Sequence, residues 1–161
     1  MEREHKTLIL GVGNLILGDE GVGPQAIPLL EARGMGQRAN LMDGGTGGFH
    51  LLGEIEGYQH LILIDATLDQ HPAGTLRVIR PKFASDYPPS LSAHDIGLKD
   101  LLETAQIMGF KPDTHLVVMS VASIQPMSLE LSPPVAAAMP ALLELVEEIL
   151  TQIEAGAAAT R

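Results

Sequence analysis

Short, nearly continuous apolar runs separated by helical patterns constrain the fold of this chain more than any other feature. Such runs cover residues 7–12, 39–42, 60–66 and 115–122. Because their apolar residues do not alternate with polar ones, they are typical of strands that are covered on both faces. A fifth run, residues 75–80, alternates more and follows a turn-like segment, which predicts a strand at the edge of the sheet.

Helical patterns lie between these strands. Two of them, residues 24–33 and 49–56, each end before a glycine, and the first also begins with a proline. Residues 98–108 and 134–154 carry apolar residues at helical spacing, and the alanine-rich tail, residues 155–161, is expected to fray. Strands that alternate with helices predict an α/β fold. We expect a single three-layer domain over residues 1–161, with a twisted, mostly parallel sheet of about five strands and helices on both faces.

Composition argues against several classes of function. Twenty acidic and ten basic residues give a formal net charge of −10, and nucleic-acid backbones or anionic membranes would repel such a surface. No cysteine is present, so any nucleophile must be oxygen or nitrogen, and any metal site must use carboxylates and imidazoles. The charged N-terminus does not resemble a signal peptide, and no apolar stretch reaches the ~20 residues that span a bilayer. We therefore expect a cytoplasmic protein that binds no nucleic acid and does not insert into membranes.

Two carboxylates, Asp19 and Glu20, lie in the glycine-rich segment that follows the first predicted strand. A dinucleotide-binding loop of the G-x-G-x-x-G type would need glycine where Ile16 stands, and the carboxylates would repel a pyrophosphate. One of the two can cap the following helix, since acidic residues are favoured at a helix N-terminus. Capping does not need both, so one of them is a candidate functional residue.

Two further polar residues are expected at the same edge of the sheet. Asp65 directly follows the apolar residues of the third strand, where an ionised carboxylate is costly unless it is paired or binds a metal. His94 lies just before a predicted helix. The loops at the carboxyl ends of strands converge in an α/β fold, so Glu20, Asp65 and His94 can form a site for a divalent metal. Independent structural roles for the three residues are equally compatible with the sequence.

The second strand is followed by Asp43-Gly44-Gly45-Thr46 and two more glycines. This composition indicates either a loop that a ligand's backbone approaches closely or a plain flexible turn. Asp43 also suits a different activity, because an acid that ends the second strand can hold the ribose of a nucleotide.

In their order and spacing, these segments resemble the hydrogenase maturation endopeptidase family. The matching segments are Gly11-Val12-Gly13-Asn14, Asp19-Glu20-Gly21-Val22-Gly23, Asp43-Gly44-Gly45-Thr46, Asp65-Ala66 and Ser92-Ala93-His94. The resemblance implies an endopeptidase that removes the C-terminal extension of a nickel-iron hydrogenase large-subunit precursor after nickel has been inserted. It also implies that Glu20, Asp65 and His94 contact a nickel ion that belongs to the substrate. Asp43, Gly44, Gly45 and Thr46 match a motif associated with substrate recognition.

The sequence leaves the catalytic class open, and no catalytic residue beyond these metal ligands is identified. No Ser-His-Asp pattern, H-E-x-x-H or D-T-G motif is present. A metal could polarise the scissile carbonyl, or a carboxylate could act as a general base. We expect no tightly bound cofactor of the enzyme's own. Two alternatives are a nucleotide-binding Rossmann-like oxidoreductase and a non-catalytic hydrogenase assembly chaperone.

Overall fold

The structure is a computed structural model that describes residues 3–46, 48, 50–82, 86 and 98–159. Within these residues, five strands form one sheet in the order β2-β1-β3-β5-β4. The strands are β1 (Thr7–Gly11), β2 (Asn40–Asp43), β3 (His60–Thr67), β4 (Leu76–Ile79) and β5 (Asp113–Ser120). Neighbouring strands are parallel except for β4, which is antiparallel to β5 and lies at the edge. The predicted α/β fold, its mostly parallel sheet and the edge position of the fifth run are therefore confirmed.

Helices cover both faces of this sheet. They are α1 (Val22–Ala32), α2 (Leu51–Ile55), α3 (Leu98–Ile107) and α4 (Pro133–Ala159). Helices α1 and α4 contact each other on one face, while α2 and α3 contact each other on the opposite face. None of the helices in the described ranges is long and apolar enough to cross a membrane.

The last helix differs from its prediction. Helix α4 continues through the alanine-rich segment as far as Ala159, so the tail expected to fray from residue 155 is helical up to that point. Alanine has the highest intrinsic helix propensity, and a helix that is already nucleated and packed extends through such residues at little cost.

Strand β3 explains why the apolar runs are continuous. Ile62 and Ile64 face the core under α1 and α4, whereas Leu61 and Leu63 face the core under α2 and α3, and all four are fully buried. Successive side chains of a strand point to opposite faces, so a central strand in a three-layer fold must be apolar at every position.

The strand order creates a crevice between β1 and β3. Helix α1 leads from β1 to β2 on one side, and the next connection passes back across β1 to β3 on the other side. The connections thus leave the carboxyl ends of β1 and β3 in opposite directions. Ligands of open α/β sheets bind at such a switch point, so this crevice is the place to look for chemistry.

Candidate active site

Glu20 lies directly over the carboxyl ends of β1 and β3. It belongs to a 3-10 turn, Gly18–Gly21, that precedes α1 and contacts β3. Glycines permit this close approach, because a Cβ atom at position 23 would lie only 2.4 Å from the carbonyl oxygen of Val12 and 2.5 Å from that of Ile64. At Gly13, which has a φ of 146°, a Cβ atom would lie 2.0 Å from the carbonyl oxygen of Glu20. The turn is therefore packed onto the strand ends, and Glu20 is only 3% exposed.

The neighbouring carboxylate, Asp19, holds this turn to the start of the last helix. Asp19 is 1% exposed, and its two oxygens accept hydrogen bonds from the N–H and the hydroxyl of Ser132, each at 2.7 Å. Its own N–H donates to Oε1 of Gln125 at 2.8 Å. The Asp19 carboxylate thus bonds to the residue before α4 rather than capping the helix that follows it in sequence. Asp19 therefore has a structural role, and Glu20 is the second buried carboxylate of this turn.

Asp65 lies within β3, where it pairs with Val118 of β5. The strand was expected to end at residue 66 and instead continues to Thr67, so Asp65 lies two residues inside its carboxyl end. Its side chain is half-buried, and Oδ1 accepts the N–H of Ala66 at 2.8 Å. Strand β3 contacts the turn that carries Glu20, so the crevice brings together these two elements of the predicted site.

His94 lies outside the described residues, so its place beside Glu20 and Asp65 stays a prediction. Within the part of the chain that is described, His, Asp and Glu side chains form no group of three that could hold a metal ion. Glu20 and Asp65 are the two members of the predicted ligand set included in that part.

The segment Asp43-Gly44-Gly45-Thr46 lies against the glycine loop that follows β1. The N–H of Gly44 donates to the carbonyl oxygen of Gly11 at 2.8 Å, and the N–H of Gly13 donates to that of Gly45 at 2.7 Å. Asp43 is exposed, and its Oδ1 accepts the N–H of Gly45 at 2.8 Å. Gly45 has a φ of 57°, which favours glycine, so the segment is a shaped loop beside the crevice.

A second polar network, not evident from the sequence, lies at the carboxyl ends of β3 and β5. Asp69 accepts hydrogen bonds from the hydroxyl of Ser120 at 3.1 Å, from Arg77 at 2.6 Å and from the N–H of His71 at 3.0 Å. Burial alone would raise the pKa of Asp69, but these bonds and the charges of His71 and Arg77 hold it below its ordinary value. The available sequence signal was an aspartate two residues before the His71-Pro72 turn, where its side chain can accept a backbone N–H.

Because the chain has no cysteine, this crevice offers oxygen and nitrogen groups and no thiolate. Carboxylates can bind a divalent first-row metal together with imidazole, or can remove a proton from an attacking water. Either role is compatible with hydrolysis of a bond in a ligand that enters between β1 and β3.

Comparison with known proteins identifies the family of the chain. A family model described as hydrogenase maturation protease, HycI, matches residues 25–149. The chain is also 34% identical over 145 residues to the hydrogenase 2 maturation protease of Escherichia coli (strain K12), and the match covers 88% of both proteins. The chain belongs to the hydrogenase maturation protease family.

Solved structures of hydrogenase maturation proteases have the same fold. The hydrogenase maturating endopeptidase HybD from Escherichia coli matches with a TM-score of 0.80 and 31% identity, covering 91% of this chain and 93% of that one. The hydrogenase 2 maturation peptidase from Thaumarchaeota archaeon SCGC_AB-539-E09 matches with a TM-score of 0.70 and 30% identity, covering 91% and 98%. The predicted family is confirmed, and the protein is an endopeptidase rather than an oxidoreductase or a chaperone.

Proposed function

We propose that this hydrogenase maturation protease removes the C-terminal extension of a nickel-iron hydrogenase large-subunit precursor after nickel insertion. The observation that carries the proposal is the position of Glu20 and Asp65 on contacting elements at the switch-point crevice, with Glu20 almost fully buried. Two carboxylates on contacting elements at a ligand crevice are placed to contact a substrate-borne cation.

The nickel in this proposal belongs to the substrate. Glu20, Asp65 and His94 would contact it as two carboxylates and an imidazole, a ligand set suited to a divalent first-row metal. Carboxylate oxygens bind nickel more weakly than thiolates do, so the enzyme would contact the ion without extracting it from the precursor. We therefore expect the purified enzyme to contain much less than one metal ion per chain. Cleavage would then depend on nickel already being present in the client.

Hydrolysis of the peptide bond requires a water molecule to attack the carbonyl carbon and a proton to reach the leaving amine. A carboxylate at the crevice can accept the proton of that water and return it to the amine. The Asp43-Gly44-Gly45-Thr46 loop lies beside the crevice, where its backbone can hold the extended substrate chain. We also propose that the encounter with the precursor takes place in the cytoplasm.

The proposal is tested by incubating the enzyme with nickel-loaded precursor and, separately, with nickel-free precursor in the presence of chelator. Mass spectrometry should show loss of the extension only from the nickel-loaded precursor. Glu20→Gln and His94→Ala should abolish cleavage, whereas Glu31→Gln, which changes an exposed glutamate of α1, should cleave like the wild type.

Two different results would contradict the proposal. Cleavage of the nickel-free precursor at the wild-type rate would show that the metal is not sensed. Failure of the wild-type enzyme to shorten either precursor would show that the large-subunit extension is not its substrate.

A further inference from the structure

Two distant segments form a short ribbon beside the turn that carries Glu20. Leu17 and Ser128 pair as a parallel bridge, in which the N–H of Ser128 donates to the carbonyl oxygen of Ile16 at 2.9 Å. The N–H of Gly18 donates to the carbonyl oxygen of Ser128 at 2.8 Å. We call residues 14–18 and 126–130 the apolar ribbon.

The apolar ribbon displays large hydrophobic side chains to solvent. Of the nine exposed large hydrophobic residues in the described part of the chain, four belong to it: Leu15, Ile16, Met127 and Leu129. Met127 is 87% exposed. Single exposed apolar residues are ordinary, but a cluster of them next to a functional crevice is typical of a surface that binds another protein.

The backbone of the ribbon is held in place from several sides. Asp19 binds Ser132 just beyond one segment, and Nε2 of Gln25 donates to the carbonyl oxygen of Leu129 at 2.9 Å. Met127 has a φ of 58°, an uncommon value for a residue with a side chain. A backbone that its surroundings already hold in such a conformation loses little conformational entropy when a partner binds, so the ribbon can bind at a low entropic cost.

The position of the ribbon, next to the turn that carries Glu20, indicates that its partner is the protein that is cut. Ile16 is four residues before Glu20, and Gly18, the first residue of the turn, donates its N–H to the carbonyl oxygen of Ser128. The ribbon thus lies next to the crevice, where the body of a protein whose chain is cut there can contact its exposed side chains. Apart from Glu130, the residues of the ribbon are uncharged, in a protein with a net charge of −10, so the ribbon suits an apolar patch on that client.

We propose that the apolar ribbon docks an apolar surface on the folded body of the hydrogenase precursor, next to the extension that is removed. This inference rests on the proposed function and adds the surface that selects the client. Docking raises the local concentration of the extension at Glu20 and Asp65 without taking part in hydrolysis.

The test compares two exposed methionines. Met127→Glu and Met127→Lys place either charge on the ribbon, and Met108→Glu is the matched control. Met108 is 60% exposed and lies between the end of α3 and the amino end of β5, whereas the ribbon adjoins the turn at the carboxyl ends of the strands. With nickel-loaded precursor as substrate, both Met127 variants should raise KM at least about tenfold and leave kcat within about twofold, as expected when an anchor residue of an interface is lost. Met108→Glu should leave both constants at their wild-type values. Leu129→Glu provides a second ribbon variant if the Met127 variants fold poorly.

A binding measurement separates this inference from the proposed function. Affinity for nickel-free precursor, which the proposed function leaves uncut, is measured by titration calorimetry with chelator present for the wild type and each variant. Weaker binding by both Met127 variants supports docking even if the wild type cuts nothing, which would refute only the proposed function. Wild-type KM and affinity in both Met127 variants would overturn docking, and so would an effect of the glutamate variant alone, because that result would indicate charge repulsion.

Discussion

Replacing Asp19 with alanine should destabilise the protein strongly. The Asp19 carboxylate is buried and accepts two hydrogen bonds from Ser132, one from the N–H and one from the hydroxyl. A hydrogen bond to a charged group contributes about 1.5–3 kcal/mol, so the loss of both should cost roughly 3–6 kcal/mol. That cost is a large part of the ~5–15 kcal/mol by which a typical domain is stable.

Thermal unfolding followed by circular dichroism measures this loss. For a chain of this length, each kcal/mol lowers Tm by about 2–4 °C, so Asp19→Ala should lower it by roughly 10 °C. Asp19→Asn is the matched control, because its amide can still accept the N–H of Ser132 and can donate to the hydroxyl. We expect the asparagine variant to lose only about 1 kcal/mol. An alanine variant whose Tm lies within about 1 °C of wild type would refute the structural role of Asp19.

Three further predictions concern the loop beside the crevice and two groups with shifted pKa values. Asp43→Ala should reduce kcat/KM for the precursor about tenfold or more. It should lower Tm by only a few degrees, because the exposed hydrogen bond from Gly45 to Asp43 contributes about 1 kcal/mol. A large loss of Tm with full specific activity would instead make Asp43 purely structural. The pKa of Asp69 is lowered on folding, so its contribution to stability is complete above its unfolded pKa of about 4 and is lost as pH falls through the folded pKa. In urea unfolding, Asp69→Asn should be less stable than the wild type at neutral pH, and this difference should shrink below pH ~4. Burial lowers the pKa of His115, the charges of Arg80 and His60 lower it further, and the charge of Asp113 opposes them. The stability of the protein should therefore fall as pH drops below the unfolded pKa of about 6.5. His115→Gln should show a smaller fall in stability between pH ~7 and ~5, and equal pH profiles of the two proteins would contradict this reasoning.

The strands were predictable because their buried positions appear in the sequence as continuous runs of apolar residues. Ile62 and Leu63 are both buried although they face opposite layers, so the run around them had to be apolar throughout. The end of α1 was also indicated, because Gly34 adopts a φ of 80° just beyond it. These signals depend only on neighbouring residues, which is why sequence alone reveals them.

The contacts that shape the site could not be predicted in the same way. Asp19 and Ser132 are 113 positions apart, and nothing in the spacing of residues identifies one as the partner of the other. The expectation that Asp19 or Glu20 would cap the adjacent helix used only local chemistry, whereas tertiary packing directs Asp19 to α4. The glycines on either side of Glu20 were a signal that the sequence analysis did not use: at Gly13 and Gly23 a Cβ atom would collide with backbone carbonyl oxygens. The predicted ligand role of His94 concerns a residue outside the described part of the chain.

The apolar ribbon also has a consequence for the synthesis of the enzyme. It joins residue 17 to residue 128, so the turn that carries Glu20 gains its neighbour only after most of the chain has left the ribosome. Chains fold as they emerge, N-terminal parts first, and contacts between distant residues form late. Strand β5, which lies between β3 and β4, is likewise completed only at Ser120. The site that we propose at Glu20 and Asp65 is therefore expected to assemble only after most of the chain has been synthesised.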